Sequence, residues 1–310
     1  MKVIFMGTPD FAAGILEAIL AAGHEVSLVV TQPDKPKGRG GKLQPPPVKE
    51  VALAHQMTVY QPERIRNAEC VEYMKAYAPD VIVVAAFGQI LPQEILDLPR
   101  ICCMNLHASL LPRYRGAAPI QWAVINGDAV TGVTAMRMDA GLDTGDIISM
   151  REVVLAQDET SGSLFERLGQ TAAELAVEVL ARMESGEEMT YTPQDAALAT
   201  HTKRITKDLG LINWARPAVE IERLIRGLNP WPSAYTYYNG KLFKIWKARV
   251  LDEENAMSPG TVLCADKRGF VVQTGDGALE LLEVQPEGKK RMDAGAFLRG
   301  NTVCEGKFFS

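Results

Sequence analysis

The sequence predicts an α/β protein: a larger first part with a doubly wound, mostly parallel β-sheet, and a smaller second part that is mainly β. Three observations lead to this fold class. In the first half, short apolar runs alternate with segments of helical periodicity, a pattern typical of parallel strands joined by helices. After about residue 186 the chain becomes polar and then breaks into short strands separated by Gly, Pro and Asn. The length of 310 residues suits two domains.

The apolar runs of the first half are predicted strands because they are short, continuous and bounded by turn residues. Continuous apolar strands are expected where helices cover both faces of a sheet. The predicted strands span residues 3–6, 26–30, 58–60, 80–85, 102–105, 130–138 and 147–154. The predicted helices span residues 11–22, 48–55, 68–77 and 164–183. Such a Rossmann-like sheet binds ligands beyond the carboxyl ends of its strands.

The second part has the strand spacing of a small β-barrel. The pair Asn239–Gly240 between two apolar and aromatic runs is a strong hairpin signal. Further strands are predicted at residues 235–238, 242–250, 260–264 and 269–274. These patterns predict an OB-like barrel. We therefore divide the chain into a first domain at residues 1–186, a linker at 187–203 and a second domain at 204–310.

Charge is distributed unevenly between the two parts. The net charge is −5, yet residues 1–200 carry 16 basic against 25 acidic side chains, and residues 201–310 carry 17 against 13. A basic second part is expected if only that part approaches a polyanion. No apolar run approaches the roughly 18 residues that span a bilayer. Five cysteines without C-x-x-C spacing favour a reducing cytosol over a disulfide or zinc framework.

The sequence argues against three familiar kinds of site: a dinucleotide-binding loop, a phosphate-binding P-loop and a zinc site. The turn after the first strand has Pro9 where a dinucleotide-binding loop needs its second glycine. The basic loop at residues 35–42 lacks the first glycine and the Ser or Thr of a phosphate-binding P-loop, although such a loop is able to contact RNA phosphates. The four histidines have no pair at metal-ligand spacing, so we expect no metal.

The residues with catalytic chemistry follow a buried strand. Asn105 and His107 are two positions apart, so in an extended strand their side chains point to the same side. An amide can donate to a developing oxyanion, and an imidazole exchanges protons near neutral pH. Downstream, the glycines of segment 138–146 permit a tight loop that brings its carboxylates toward the histidine. An acidic turn that binds nothing is the open alternative for that segment.

These residues resemble a known family signature. The pattern Asn105-x-His107-x-Ser109-Leu110-Leu111-Pro112, followed by Asp139-x-Gly141-x-Asp143-x-Gly145, is similar to that of the 10-formyltetrahydrofolate-dependent formyltransferases. The resemblance implies a catalytic trio of Asn105, His107 and Asp143, in which Asp143 assists His107 and an ordered water. It implies a folate site formed by Ser109, Leu110, Leu111, Pro112 and Asp139. The loop that wraps the pterin ring would contribute Phe87, Gly88, Ile90 and Leu91.

The resemblance extends to the acceptor. It runs over the whole chain and implies that the formyl group goes to the α-amine of initiator methionyl-tRNA. It also implies that Lys37, Arg39 and Lys42 of the basic loop contact the tRNA. Residues 204–310 would form a tRNA-binding barrel. Asn213 stands where the family usually has Asp. We expect a cytoplasmic monomer that meets folate and tRNA but no membrane.

Three alternatives to this acceptor or activity are weighed from the sequence. A formyltransferase acting on a nucleotide-linked amino sugar shares the core and carries a similar second domain, but it has less use for the basic loop. A transferase for glycinamide ribonucleotide has no use for residues 201–310. A protein of another class, which binds folate or RNA without catalysis, is disfavoured because the trio is intact.

Overall fold

The computed structural model describes residues 1–37, 41–252 and 257–309. The chain divides into two compact units. Unit 1 comprises Met1–Pro119, Val130–Val154 and Phe165–Thr202, and unit 2 comprises Ile120–Ala129, Leu155–Leu164 and Lys203–Ser310. Along the described stretches, no helix combines the length and the apolar character needed to cross a bilayer.

Unit 1 is built on eleven strands along its described residues. In chain order they are β1 (Lys2–Gly7), β2 (Glu25–Val30), β3 (Lys35–Lys37), β4 (Lys42–Gln44), β5 (Val59–Tyr60), β6 (Val81–Ala85), β7 (Cys102–His107), β8 (Arg115–Gly116), β9 (Val130–Arg137), β10 (Ile147–Val154) and β11 (His201–Thr202). Seven of them form one sheet in the order β10-β9-β7-β6-β1-β2-β5. Strands β5, β2, β1, β6 and β7 are parallel, and β9 runs antiparallel to both β7 and β10. This is the predicted mostly parallel sheet.

The central strands are buried on both faces, as their continuous apolar sequences predict. Every residue of β6 and β7 is buried, and one apolar cluster packs Ile4, Ile82 and Cys103 against Phe87 and Ile95. Strand β7 is two residues longer than predicted, because its polar residues stay within the ladder with β9. As a result, both Asn105 and His107 stand in the sheet.

The helices of the chain follow the apolar periodicity. They are α1 (Asp10–Ala21), α2 (Pro47–Ala54), α3 (Ala68–Lys75), α4 (Gln93–Leu96), α5 (Pro119–Asn126), α6 (Ser161–Glu184), α7 (Ala218–Gly227) and α8 (Ala294–Gly300). In α1, for example, Phe11, Ile15 and Ile19 are buried, which is the stripe expected at a spacing of four residues.

Unit 2 contains an antiparallel sheet. Its strands are β12 (Ala234–Tyr238), β13 (Lys241–Leu251), β14 (Val262–Asp266), β15 (Gly269–Gln273), β16 (Ala278–Pro286) and β17 (Met292–Asp293). The order is β12-β13-β16-β15-β14, with β17 pairing β16. Isolated bridges join Phe309 to Tyr238 and Phe308 to Thr261. The chain end therefore links the two edges of the sheet, which is the closure that a small barrel requires.

Candidate active site

Asn105 and His107 occupy the end of β7, a strand with neighbours on both sides. Asn105 lies between Val84 of β6 and Met136 of β9, and His107 pairs with Thr134 of β9. Both side chains are more than nine-tenths buried. Because they are two residues apart on one strand, they share one face of the sheet. A buried amide and a buried imidazole thus stand side by side at the carboxyl end of a parallel strand.

The ring of His107 is oriented by a main-chain carbonyl. Its Nε2 lies 2.9 Å from the carbonyl oxygen of Tyr114, and a carbonyl can only accept. Nε2 therefore carries the hydrogen in this hydrogen bond, and Nδ1 is the nitrogen that is free to exchange a proton. Nδ1 lies 3.8 Å from Oδ2 of Asp143, close enough for the carboxylate to stabilise an imidazolium.

Asp143 reaches His107 from a tightly folded loop. Its backbone has φ +54°, an uncommon conformation for a residue with a side chain. Oδ2 accepts a 2.7 Å hydrogen bond from the amide of Gly116. The same carboxylate oxygen is thus held by a main-chain donor and faces the imidazole.

Asp139, predicted to contact folate, bonds within its own turn. Its Oδ1 accepts from the amide of Gly141 at 3.0 Å and from the hydroxyl of Thr144 at 2.7 Å. The side chain is exposed. Its second oxygen remains available to a ligand, while the first shapes the loop that carries Asp143.

Ser109 is also engaged inside its loop. Its hydroxyl, which is fully buried, donates to the carbonyl of Arg113 at 2.7 Å. The amide of Leu111 donates to the hydroxyl of Thr134, and that hydroxyl donates to the carbonyl of Ser109. Leu111 is buried, whereas Leu110 and Pro112 are partly exposed. The predicted folate segment is therefore a rigid turn of which Leu110 and Pro112 are the accessible members.

The loop after β6 is anchored at a carbonyl. The oxygen of Phe87 accepts from the side chains of Thr8 and Gln32, each at 3.2 Å. Phe87 and Leu91 are buried, Gly88 has φ +85°, and Ile90 is 78% exposed. The loop thus turns Ile90 outward on a fixed base.

A cavity of about 480 Å³ lies beside the loop of Asp139 and Gly145 within unit 1, a volume within the range of small-molecule sites. Its lining residues are Gln93, Leu96, Asp97, Pro99, Arg100, Ile101, Cys102, Cys103, Arg137, Met138, Asp139, Gly145 and Asp146. Of the predicted folate residues, Asp139 lines it. Burial raises the pKa of the Cys102 thiol to about 11, so this cysteine is uncharged and no nucleophile at neutral pH.

The basic loop is a short hairpin. Lys37 of β3 pairs with Lys42 of β4, and Arg39 lies outside the described residues. At the base of the hairpin, Lys49 binds both oxygens of Asp34 at 2.9 Å. The hairpin therefore starts from a fixed ion pair.

The side chains that support the trio are not predicted by the sequence patterns. Arg115, 7% exposed, donates twice to the amide oxygen of Gln194, and Thr200 accepts from the amide of Tyr114. An arginine inside the signature segment is the one signal that points to such a contact. Nothing in the polar stretch around Gln194 and Thr200 indicates partners that are distant in sequence.

A cluster of possible metal ligands lies in unit 2. The ligand atoms of Cys264, Asp266 and Glu305 lie within 4.8 Å of one another. The guanidinium of Arg268 already bonds Asp266 and approaches Glu305 at 3.4 Å. This cation lowers the pKa of Asp266 to about 2, so a positive charge already offsets part of the negative charge of the two carboxylates.

Comparison with known proteins identifies both parts of the chain. The family profile described as "Formyl transferase" matches residues 1–180, and "Formyl transferase, C-terminal domain" matches residues 204–302. A methionyl-tRNA formyltransferase of Agathobacter rectalis is 61% identical over 310 residues, covering 100% of both chains. One of Lachnospira eligens is 53% identical, covering 99% of this chain and 98% of that one.

Solved structures share the fold at low sequence identity. An N-formyltransferase from Helicobacter canadensis, in complex with folinic acid and dTDP-3-aminofucose, matches with TM-score 0.65 and 18% identity, covering 91% of this chain and 99% of that one. HypX from Aquifex aeolicus, in complex with tetrahydrofolic acid, matches with TM-score 0.63 and 19% identity, covering 96% of this chain and 47% of that one. These likenesses confirm the predicted fold class.

Proposed function

The chain belongs to the formyl transferase family, and from this premise we propose that it transfers the formyl group of 10-formyltetrahydrofolate to the α-amino group of initiator methionyl-tRNA. The observation that carries this proposal is the group of Asn105 and His107, both buried, with the partly buried Asp143 facing His107, in a chain that is 61% identical to a methionyl-tRNA formyltransferase over its full length. Two solved sugar N-formyltransferases are only 18% and 20% identical in sequence to this chain, so the amino-sugar alternative has weaker support.

The chemistry follows from which atoms are available. The amine, whose free α-amino form has a pKa of about 8, attacks the formyl carbon and forms the new C–N bond. In this proposal the amide of Asn105 donates a hydrogen bond to the oxyanion that develops. The amine proton passes to Nδ1 of His107 and from there to N10 of the folate as the C–N10 bond breaks. Nδ1 is assigned this role because Nε2 is committed to the carbonyl of Tyr114.

Asp143 supports the proton transfer electrostatically. Its carboxylate faces Nδ1 at 3.8 Å, so it stabilises the imidazolium that exists between the two proton movements. The amide of Gly116 keeps this oxygen in place. The transfer is proposed to need no metal, because the amide and the imidazole supply the polarising and proton-carrying groups.

For the donor, we propose that the pterin ring enters the 480 Å³ cavity. Leu96, Cys103 and Met138 offer apolar walls, and the carboxylates of Asp139 and Asp146 are acceptors for the ring's N–H groups. The exposed Ile90 and the turn at Leu110 to Pro112 would contact the rest of the folate. Replacing Met138 with Trp should raise the donor's KM at least several-fold with little change in the KM for tRNA.

For the acceptor, we propose that Lys37, Arg39 and Lys42 bind tRNA phosphates. Removing one of these cations should weaken tRNA binding and make it less dependent on salt. Substituting Lys42 with Ala should therefore raise the KM for methionyl-tRNA and leave kcat nearly unchanged. We further propose that the enzyme acts as a monomer in the cytosol, where its acceptor enters translation; sedimentation of the full chain tests the monomer.

Turnover with labelled formyl donor tests the whole proposal. Wild-type protein is supplied in parallel with charged initiator tRNA and with a dTDP-linked amino sugar. His107→Ala and Asp143→Ala should each lose about 10²- to 10⁴-fold in kcat, and His55→Ala, an exposed histidine, serves as the matched control. Near wild-type rates in either the His107 or the Asp143 variant would refute the proposed mechanism. Faster turnover of the amino sugar than of the tRNA would refute the proposed acceptor.

A further inference from the structure

The polar segment at residues 191–202 lies against the sheet of unit 1 before it reaches the catalytic loops. Thr192 and Ile147 exchange two main-chain hydrogen bonds, at 2.8 and 2.9 Å. The guanidinium of Arg137 lies 5.4 Å from the centre of the Tyr191 ring, a distance typical of a cation–π contact. The start of the 191–202 segment is thereby fixed in position along strands β9 and β10.

Gln194 joins two loops of the active site. Its Oε1 accepts from Nε and Nη2 of Arg115 at 3.1 and 2.7 Å. Its Nε2 donates to the carbonyls of Asp143 and Gly145 at 3.0 and 2.7 Å. The full capacity of one amide, two donors and two acceptor sites, is used. A single side chain therefore connects the loop after His107 with the loop that carries the catalytic carboxylate.

Thr200 fixes the peptide that orients His107. Its hydroxyl accepts from the amide of Tyr114 at 2.8 Å, and its carbonyl accepts from the amide of Arg115 at 2.8 Å. Tyr114 has φ +61°, a conformation that needs support in a bulky residue. The carbonyl of this same residue bonds Nε2 of His107. Thr200 therefore acts on the imidazole through one intervening residue.

We propose that Gln194 and Thr200 are positioning residues for the formyl transfer, acting through Asp143 and His107 respectively. The inference rests on the proposed function and adds to it two residues that come from outside the signature segments. Neither residue touches the reacting atoms in this arrangement. Their expected contribution is to kcat, because they set the distance between imidazole and carboxylate rather than contact either substrate.

Three substitutions separate positioning from bulk structure. Thr200→Val keeps the shape and removes the acceptor for Tyr114, and Thr200→Ser restores it. Gln194→Glu keeps an acceptor for Arg115 but removes both donors to the Asp143 loop. We expect Thr200→Val and Gln194→Glu to lose about 10- to 100-fold in kcat, with both KM values within about twofold of wild type and Thr200→Ser close to wild type.

Asp195→Ala is the matched control. Asp195 is the next residue in the segment, is exposed, and its carboxylate accepts from the local amide of Ala197. Its removal should leave kcat and both KM values unchanged. The variants are compared for Tm and circular dichroism, then assayed with formyl donor and methionyl-tRNA.

The outcomes distinguish this inference from the proposed function. Wild-type kcat in both Thr200→Val and Gln194→Glu would overturn the positioning role alone, as would an effect confined to the KM for tRNA. Unfolding of both variants would assign the segment a purely structural role and also overturn it. Absence of turnover in the wild-type protein would overturn the proposed function, and the positioning role with it.

Discussion

Gly145 has no room for a side chain, and this makes Gly145→Ala a sharp test of the site geometry. A Cβ at this position would overlap the carbonyl oxygen of Arg137, lie 2.9 Å from its carbonyl carbon and lie 3.3 Å from the amide nitrogen of Asp139. All three are main-chain atoms, so no side-chain rotation relieves the overlap. The loop that carries Asp143 must move instead.

The expected loss of activity in Gly145→Ala follows from the hydrogen bonds that hold the loop around Gly145. Arg137 donates from its amide to the carbonyl of Asp146 at 2.8 Å, and the carbonyl of Gly145 accepts from Gln194. Relieving the overlap breaks at least one of these and shifts Asp143. A misplacement of about 1 Å costs about 10²-fold in rate. Overpacking costs about 1–3 kcal/mol in stability, less than the ~5–15 kcal/mol that keeps a typical protein folded.

The assay compares Gly145→Ala with two other glycine variants at saturating substrates. A Cβ on Gly141 would meet the side chain of Thr144, which can rotate away, and one on Gly14 of α1 would meet nothing within 4 Å. We expect kcat to fall about 100-fold only for Gly145→Ala, with a small decrease for Gly141→Ala and none for Gly14→Ala. Equal rates for Gly145→Ala and Gly141→Ala would refute the reasoning.

Three further predictions concern other parts of the chain. Asn213→Asp should leave Tm and activity unchanged, since its Oδ1 accepts from the main-chain amide two residues on and a carboxylate accepts equally well. Hydrogen bonds from the main-chain amide of Lys2 and from Arg100 hold the pKa of Asp80 below its usual 3.8. The stability that ionised Asp80 adds is therefore present above pH 3.8 and is lost as the pH falls through the lowered pKa. In acid denaturation series, the difference in unfolding free energy between wild type and Asp80→Asn should shrink. A thiol reagent at pH 8 should label the exposed Cys304 first, because burial raises the pKa of Cys102 to about 11; mass spectrometry reads the site.

The sequence is most informative where side chains are buried in regular elements. Continuous apolar runs predict β1, β6 and β7 because strands covered on both faces tolerate little else. Helices α7 and α8 and strand β16 are not predicted by such patterns. In α7 the buried residues Ile221 and Ile225 are four positions apart, which is a helical spacing, but the helix is short and turn-rich sequence lies on both sides of it.

The proposed catalytic positions are predictable for a different reason than the fold. Asn105 and His107 can be placed on one face because strand alternation is a local rule. Their partners obey no such rule. Gln194 reaches Arg115 across 79 residues, and Arg115 also pairs with His201 of β11, which is likewise distant in sequence. Glutamine is equally suited to any solvated turn, so its presence at position 194 does not indicate this contact.

Because local sequence does not show distant contacts, the different roles of Asp139 and Asp143 can be distinguished only in the structure. Both are aspartates of one glycine-rich loop, and the family resemblance alone assigns one to folate and the other to catalysis. Their backbones supply the physical reason. Asp139 uses an oxygen on the turn itself, whereas Asp143, at φ +54°, directs its carboxylate to the amide of Gly116 and to the imidazole. Asp139 thus shapes the loop, and Asp143 is the aspartate of this loop whose carboxylate faces His107, as the proposed mechanism requires.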